Sequence, residues 1–323
     1  MQSKASKLVE SPKLFKFDWR QYIVYIAFVG VFIAFSISLY DEGFLSVNNI
    51  LNIVRQTAMI SIMAVAMTFV ISSAEIDLSV GSIAALASLT AALAVKSFGL
   101  LGGVVVGLGT GAAIGLINGL LVTKIAIPSF LVTLGMMGIA KGLAMWITAT
   151  APVPILNETY NFIFGSGSIG AIPILLIWTL LIAAAGHIIL RKTTFGRRIL
   201  ATGGNESAAK FSGINTSRVK LLVLTASGML AGFAGMLYAG RLQAGRFTFG
   251  EGDELSVIAA VILGGTSLFG GVGTVVGTVI GSLLIGTINN GLIIMGLDVS
   301  QQMVVKGLII ILAVAFGRKA LNK

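Results

Sequence analysis

Runs of roughly 18 or more predominantly apolar residues recur along this chain, and they decide its surroundings before anything else. A water-soluble core is built from shorter apolar stripes. A hydrocarbon layer about 30 Å thick takes about 20 apolar residues per helix. Hydrophobic residues make up 56% of the sequence and charged ones 11%, so the 323 residues count membrane spans rather than soluble domains. The expected class is an all-α polytopic membrane protein, with residues 1–323 forming a single transmembrane domain.

Charge placement sets the expected topology. The net charge of +10 is not a nucleic-acid footprint, because fifteen of the 22 Lys and Arg lie in three polar segments, 1–20, 191–220 and 317–323. Basic residues gathered in a few loops mark the side that is not translocated. Ten spans satisfy that pattern: Tyr22–Leu39, Thr57–Ser73 entered through an interfacial helix at Leu45–Gln56, Ser79–Val95, Leu101–Val122, Ser129–Thr148, Ile174–Leu190, Leu221–Gly240, a short Leu255–Leu263, Thr274–Met295 and Met303–Phe316. Residues 1–20 are then a cytoplasmic tail before a retained first span rather than a removed signal peptide. Both termini and residues 191–220 face the cytoplasm. The loop Ala149–Ile172, which has no Lys or Arg, lies outside.

The two halves echo one another. Leu78-Ser79-Val80 with Ile83-Ala84-Ala85 returns as Leu255-Ser256-Val257-Ile258-Ala259-Ala260, and Gly115 to Asn118 returns as Gly286 to Asn289. A displacement of five spans, an odd number, inverts the second copy, which is a habit of transporters. Gly103, Gly107, Gly111, Gly115 and Gly119 recur every four residues, and Gly273, Gly277 and Gly281 begin a similar stripe. Small residues on one face let helix backbones approach where lipid removes the hydrophobic drive.

Few polar residues interrupt the spans. Asp77 and Ser79 stand at the junction of spans two and three, with Glu75 beside them. They either cap the third span or line a passage. Asn118, Asn289 and Asn290 either bond between helices or meet a polar solute in a central path. Ionisable residues inside the spans are almost confined to Lys141, which leaves a transporter without an evident ion-coupling group. With no cysteine and the single His187, disulfides, thiolate chemistry and a clustered metal site drop out. The glycine-rich run Gly264 to Gly281 and the pair Gly203-Gly204 lack a following Gly-Lys-Ser/Thr, so the chain has no ATP-binding loop of its own.

The polar island 191–220 carries seven basic residues and one acid, Glu206. Inside it lies a small helix with both ends written out. Asn205 is placed to cap the first turn, Glu206 suits the helix dipole, Lys210 follows Glu206 by four residues, and Gly213 is the left-handed stop. Such a helix is either shaped to be gripped by another protein or is part of a solvated loop whose charges set topology.

The stretches FGRRILATGGNESAAKFSGI, EIDLSVGSIAAL, ILGGTSLFGGVGTVVGTVIG and GTINNGL together resemble the ribose-type sugar ABC importer permeases, from about Asn48 to Phe316. Residues 74–82 depart somewhat, with Glu75 where many relatives carry glycine. The resemblance implies a fold like that of the cobalamin-importer permeases, about ten helices in two inverted halves. It implies a bacterial inner-membrane permease for a monosaccharide, paired with a second copy or a close relative. Its other partners would be a cytoplasmic ABC ATPase with two nucleotide-binding halves, which uses ATP and Mg, and an external sugar-binding protein. Membrane lipid surrounds it, and neither nucleic acid nor a cofactor of its own is expected. Gly203 to Gly213 becomes the coupling helix. Asn205, Ala208, Ala209 and Phe211 form its docking surface, and Glu206 and Lys210 orient it. The alternative is a stand-alone secondary carrier.

Overall fold

A computed structural model describes residues 23–305, 307–309 and 311. The expected tail at 1–20 and half of the expected tenth span, residues 306, 310 and 312–316, lie outside them. In chain order the elements are α1 (Ile23–Ser38), α2 (Val47–Ser72), α3 (Val80–Lys124), α4 (Ser129–Ile147), β1 (Val153–Pro154), α5 (Glu158–Asn161), a π-helical turn (Phe162–Ser166), β2 (Ser168–Ile169), β3 (Ile172–Pro173), α6 (Ile174–Lys192), α7 (Thr194–Gly204), α8 (Glu206–Phe211), α9 (Thr216–Leu242), β4 (Ala244–Gly245), α10 (Asp253–Leu263) and α11 (Val275–Ile294). Six of these, α2, α3, α4, α6, α9 and α11, are long and apolar enough to cross a membrane.

α3 has 45 residues, far more than a bilayer needs at 1.5 Å of rise each. Gly99 divides it, with φ 69° and ψ −164°, a conformation that a side chain would resist. The break falls between the expected spans three and four. α2 differs from expectation. The interfacial segment and span two are one 26-residue helix, because no Gly or Pro interrupts 47–72 and Ser46 caps its start by accepting the Asn49 N–H at 3.3 Å. The polar triplet around Arg55 does not end it.

The core lies where α2, the first part of α3, α9 and α10 meet, with Met63, Met67, Ile83, Leu89, Met236, Leu237, Val257 and Val261 buried. α4 and α6 are peripheral and turn large apolar side chains such as Leu131 and Leu181 outward, as a lipid-facing helix does.

Two antiparallel seams hold the core. Along the first, Gly107, Gly111 and Gly115 of α3 meet Met236, Gly232 and Gly228 of α9. Along the second, α2 and α11 exchange polar contacts. The Thr68 and Thr278 hydroxyls are 2.9 Å apart and those of Ser61 and Ser282 2.6 Å apart. Gly286 lies against Thr57, and Asn49 and Asn290 bond reciprocally at 2.9 and 3.0 Å. The loops gather at two ends. β1 pairs with β4, and Lys141 of α4 reaches Glu251 at 2.6 Å. At the opposite end the Gly271 N–H meets the Ser72 carbonyl at 3.0 Å, and the Ile76 N–H meets the Ser129 hydroxyl at 3.1 Å.

Candidate functional site

The second of these ends carries α7 and α8. Thr193 caps α7 by accepting the Gly196 N–H, and Asn205 caps α8 by accepting the Ala208 N–H at 2.9 Å. Each such cap is worth about 1 kcal/mol, which matters for a helix of only six residues. Gly213 supplies the stop at φ 81°. Residues of the island then divide by exposure. Gly203 is buried, so close to the Ser72 carbonyl and the Gly271 backbone that a Cβ would collide with both. Ala209 is buried as well, which places it on the inner side of α8 rather than on a docking surface. Gly204, Asn205, Ala208, Lys210 and Gly213 are exposed, and Phe211 is 94% exposed.

Glu206 is the electrostatic centre of the segment. It meets Lys210 at 2.9 Å, Lys220 at 2.7 Å and the Thr216 hydroxyl at 3.1 Å. Partial burial pushes its carboxyl up. Hydrogen bonds from Lys220 and Lys210, the Lys220 charge and the Thr216 hydroxyl outweigh that and hold it at about 2. Lys220 also meets Glu75 at 2.6 Å. The sequence showed the Glu206–Lys210 pair through its four-residue spacing, but nothing local joins Lys220 to Glu75.

Asp77, Ser79 and Asn118 come together. Ser79 donates its N–H and its hydroxyl to Asp77 Oδ1 at 3.0 and 2.6 Å, Ser227 of α9 donates to Oδ2 at 2.8 Å, and Asn118 Nδ2 donates to the Ser79 hydroxyl at 3.0 Å. All four are fully buried. Burial pushes the Asp77 carboxyl above its ordinary value, against the downward pull of Ser79 and Ser227. Asp77 thus fixes Ser79, the residue before α3, and ties that junction to α9, while no side chain caps the first turn of α3 itself. Asn289 and Asn290 lie elsewhere, since Asn290 pairs with Asn49 at the far end of α2. The Oδ1 atoms of Asn118 and Asn289 are buried without a hydrogen-bond partner. Lys141, the ionisable exception in the spans, is part-exposed and paired with Glu251.

A bundle of bilayer-length helices with a short capped, ion-paired helix at one end fits a polytopic membrane permease. Comparison of the sequence with known families agrees. The family described as branched-chain amino acid transport system / permease component matches residues 49–314, and the chain belongs to it. The ribose import permease protein RbsC of Bacillus subtilis (strain 168) is 44% identical over 90% of this chain and 92% of that one. RbsC of Escherichia coli (strain K12) is 41% identical over 88% and 89%. The D-allose transport system permease protein AlsC of the same strain is 37% identical over 98% and 97%. No solved structure matches. The chain is a transport permease component and not an enzyme. Membership of a multi-component transport family sets aside the stand-alone carrier.

Proposed function

We propose that this chain is the membrane subunit of an ATP-driven importer of a monosaccharide or related polar solute in the bacterial inner membrane, with both termini cytoplasmic. Relatives named for ribose, L-arabinose and D-allose support that substrate class. The partners are a second permease copy or a close relative, a cytoplasmic ABC ATPase with two nucleotide-binding halves that consumes ATP and Mg, and an external sugar-binding protein. The chain itself holds no cofactor. Its fold is about ten crossings in two inverted halves, like the cobalamin-importer permeases. The seams support the inversion. Gly286 lies as far beyond Gly115 in sequence as Gly228 lies beyond Thr57, and Ser282 as far beyond Gly111 as Gly232 beyond Ser61. Gly115 meets Gly228 while Thr57 meets Gly286, and Gly111 meets Gly232 while Ser61 meets Ser282. Shifting by one repeat turns each seam into the other.

One observation carries the coupling role: Phe211 stands 94% exposed on the doubly capped α8. Leaving such a side chain in water forgoes about 1.5–3 kcal/mol of burial, which a groove on the ATPase would recover. Gly204, Asn205, Ala208, Lys210, Phe211 and Gly213 form the docking face, with Gly203 and Ala209 seating it from within. Along the solute path, Asp77, Ser79 and Asn290 spend their hydrogen-bonding capacity on structure. Asn118 and Asn289 keep an unused acceptor for a sugar hydroxyl. The test is Phe211→Asp in the complete transporter. The variant should reach the membrane yet lose uptake and copurification with the ATPase. Normal assembly and transport would refute the docking assignment.

A further inference from the structure

Lys220 stands between two carboxylates that belong to different parts of the fold. Its Nζ lies 2.6 Å from Glu75, on the junction between α2 and α3, and 2.7 Å from Glu206, on α8. The Lys220 side chain is 16% exposed and that of Glu75 only 9%. Lys210 completes the set at 2.9 Å from Glu206, so two acids face two bases and the cluster is neutral. Two residues past Glu75, Asp77 binds Ser227 of α9 and, through Ser79, is linked to Asn118 of α3. Lys220 itself is the fifth residue of α9.

We propose that Lys220 is a two-sided positioning residue that ties α8 to the α2–α3 junction, so that a pull on α8 is delivered to the starts of α3 and α9. The inference rests on the importer reading above and adds the route by which the push leaves the docking face. The short turn 212–215 and the Thr216–Glu206 hydrogen bond join α8 to α9, but neither link reaches the α2–α3 junction. The ion pairs make that connection as a strut, because a partly buried ammonium cannot leave one carboxylate without stranding it. Glu75, its side chain only 9% exposed, is the anchor at the membrane end of the strut.

The permease is reconstituted in vesicles with its ATPase and binding protein, and radiolabelled ribose, L-arabinose or D-allose uptake is measured beside ATP hydrolysis. For Lys220→Met and Glu75→Gln, solute accumulated per ATP should fall by about tenfold while hydrolysis stays within about twofold, and Lys220→Arg should restore the ratio. Glu75→Gln removes a charge without leaving a buried anion unpaired, so it carries the test if Lys220→Met fails to assemble. An unchanged ratio, or uptake and hydrolysis falling together, would show that the bridge serves stability alone and overturn the proposal. Wild-type protein that takes up solute without ATP would overturn the importer reading itself, and the strut with it.

Discussion

Gly111 of α3 and Gly228 of α9 meet so closely that a Cβ added to either would fall on the carbonyl oxygen of the other. Contact of that kind is backbone on backbone. It supplies the dispersion energy that apolar side chains cannot supply between helices already bathed in lipid. Gly115 and Gly232 extend the contact by a turn on either side, and Met236 closes it against Gly107.

Gly111→Leu and Gly228→Leu are therefore expected to break the seam. Overpacking a tight core ordinarily costs about 1–3 kcal/mol, and a clash with backbone carbonyls cannot be relieved by rotamer changes, so the loss belongs at or beyond the upper end. Gly109 is the internal control, since it lies on the same helix, is exposed and has nothing within 4 Å of an added Cβ. Thermal unfolding of the detergent-purified protein should show a large fall for the first two and none for Gly109→Leu. Equal destabilisation of all three would mean that helix propensity, not the seam, governs these positions.

The glycine stripe was legible because its four-residue period is a property of one segment. Its mate on α9 carried the same signal unread, because Gly228 and Gly232 also stand four residues apart, although that spacing does not name α3 as the partner. The second seam was visible only at Asn290. Thr57, Thr68 and Thr278 each bond the carbonyl four residues earlier, at 2.6, 2.8 and 2.8 Å. A hydroxyl that can be satisfied within its own helix leaves no sign in the sequence that it will also seek a partner elsewhere. α8 was read nearly residue by residue, because caps and the Glu206–Lys210 spacing are local. The Glu75–Lys220 pair needs the tertiary fold to exist at all. The inner and outer sides of α8 also depended on tertiary contact, which is why Ala209 and Phe211 looked equivalent in sequence.

Acid should loosen α8 in a narrow window. The Glu206 carboxyl titrates at about 2 in the folded protein against an ordinary value of 4.5. Its contribution to stability is fully present above the ordinary value and is lost as the pH falls through the folded one. Protection of the amides of 206–213 against hydrogen exchange, corrected for intrinsic rates, should be flat from neutral pH to about 5 and decline below it. Glu206→Gln should lower the plateau and remove this dependence. A wild-type decline centred near neutral pH would assign the titration to another group.

Asp77 separates an anchoring carboxylate from one that handles solute. It accepts three hydrogen bonds, two from Ser79 and one from Ser227, and donates none. Asp77→Asn can keep the Oδ1 acceptor for Ser79 and turn its amide nitrogen toward the Ser227 hydroxyl, which can accept as well as donate. Asp77→Ala leaves three buried donors without their acceptor, at about 1–3 kcal/mol for each one that finds no other partner. If Asp77 only holds α3 to α9, the Asn variant should transport near the wild-type rate with a small drop in thermal stability. The Ala variant should be strongly destabilised. A carboxylate whose charge is used, by a solute or by a moving proton, gives the opposite ranking of readouts. Asp77→Asn would then fold normally and lose transport, and the residue would move from the frame of the permease to its path.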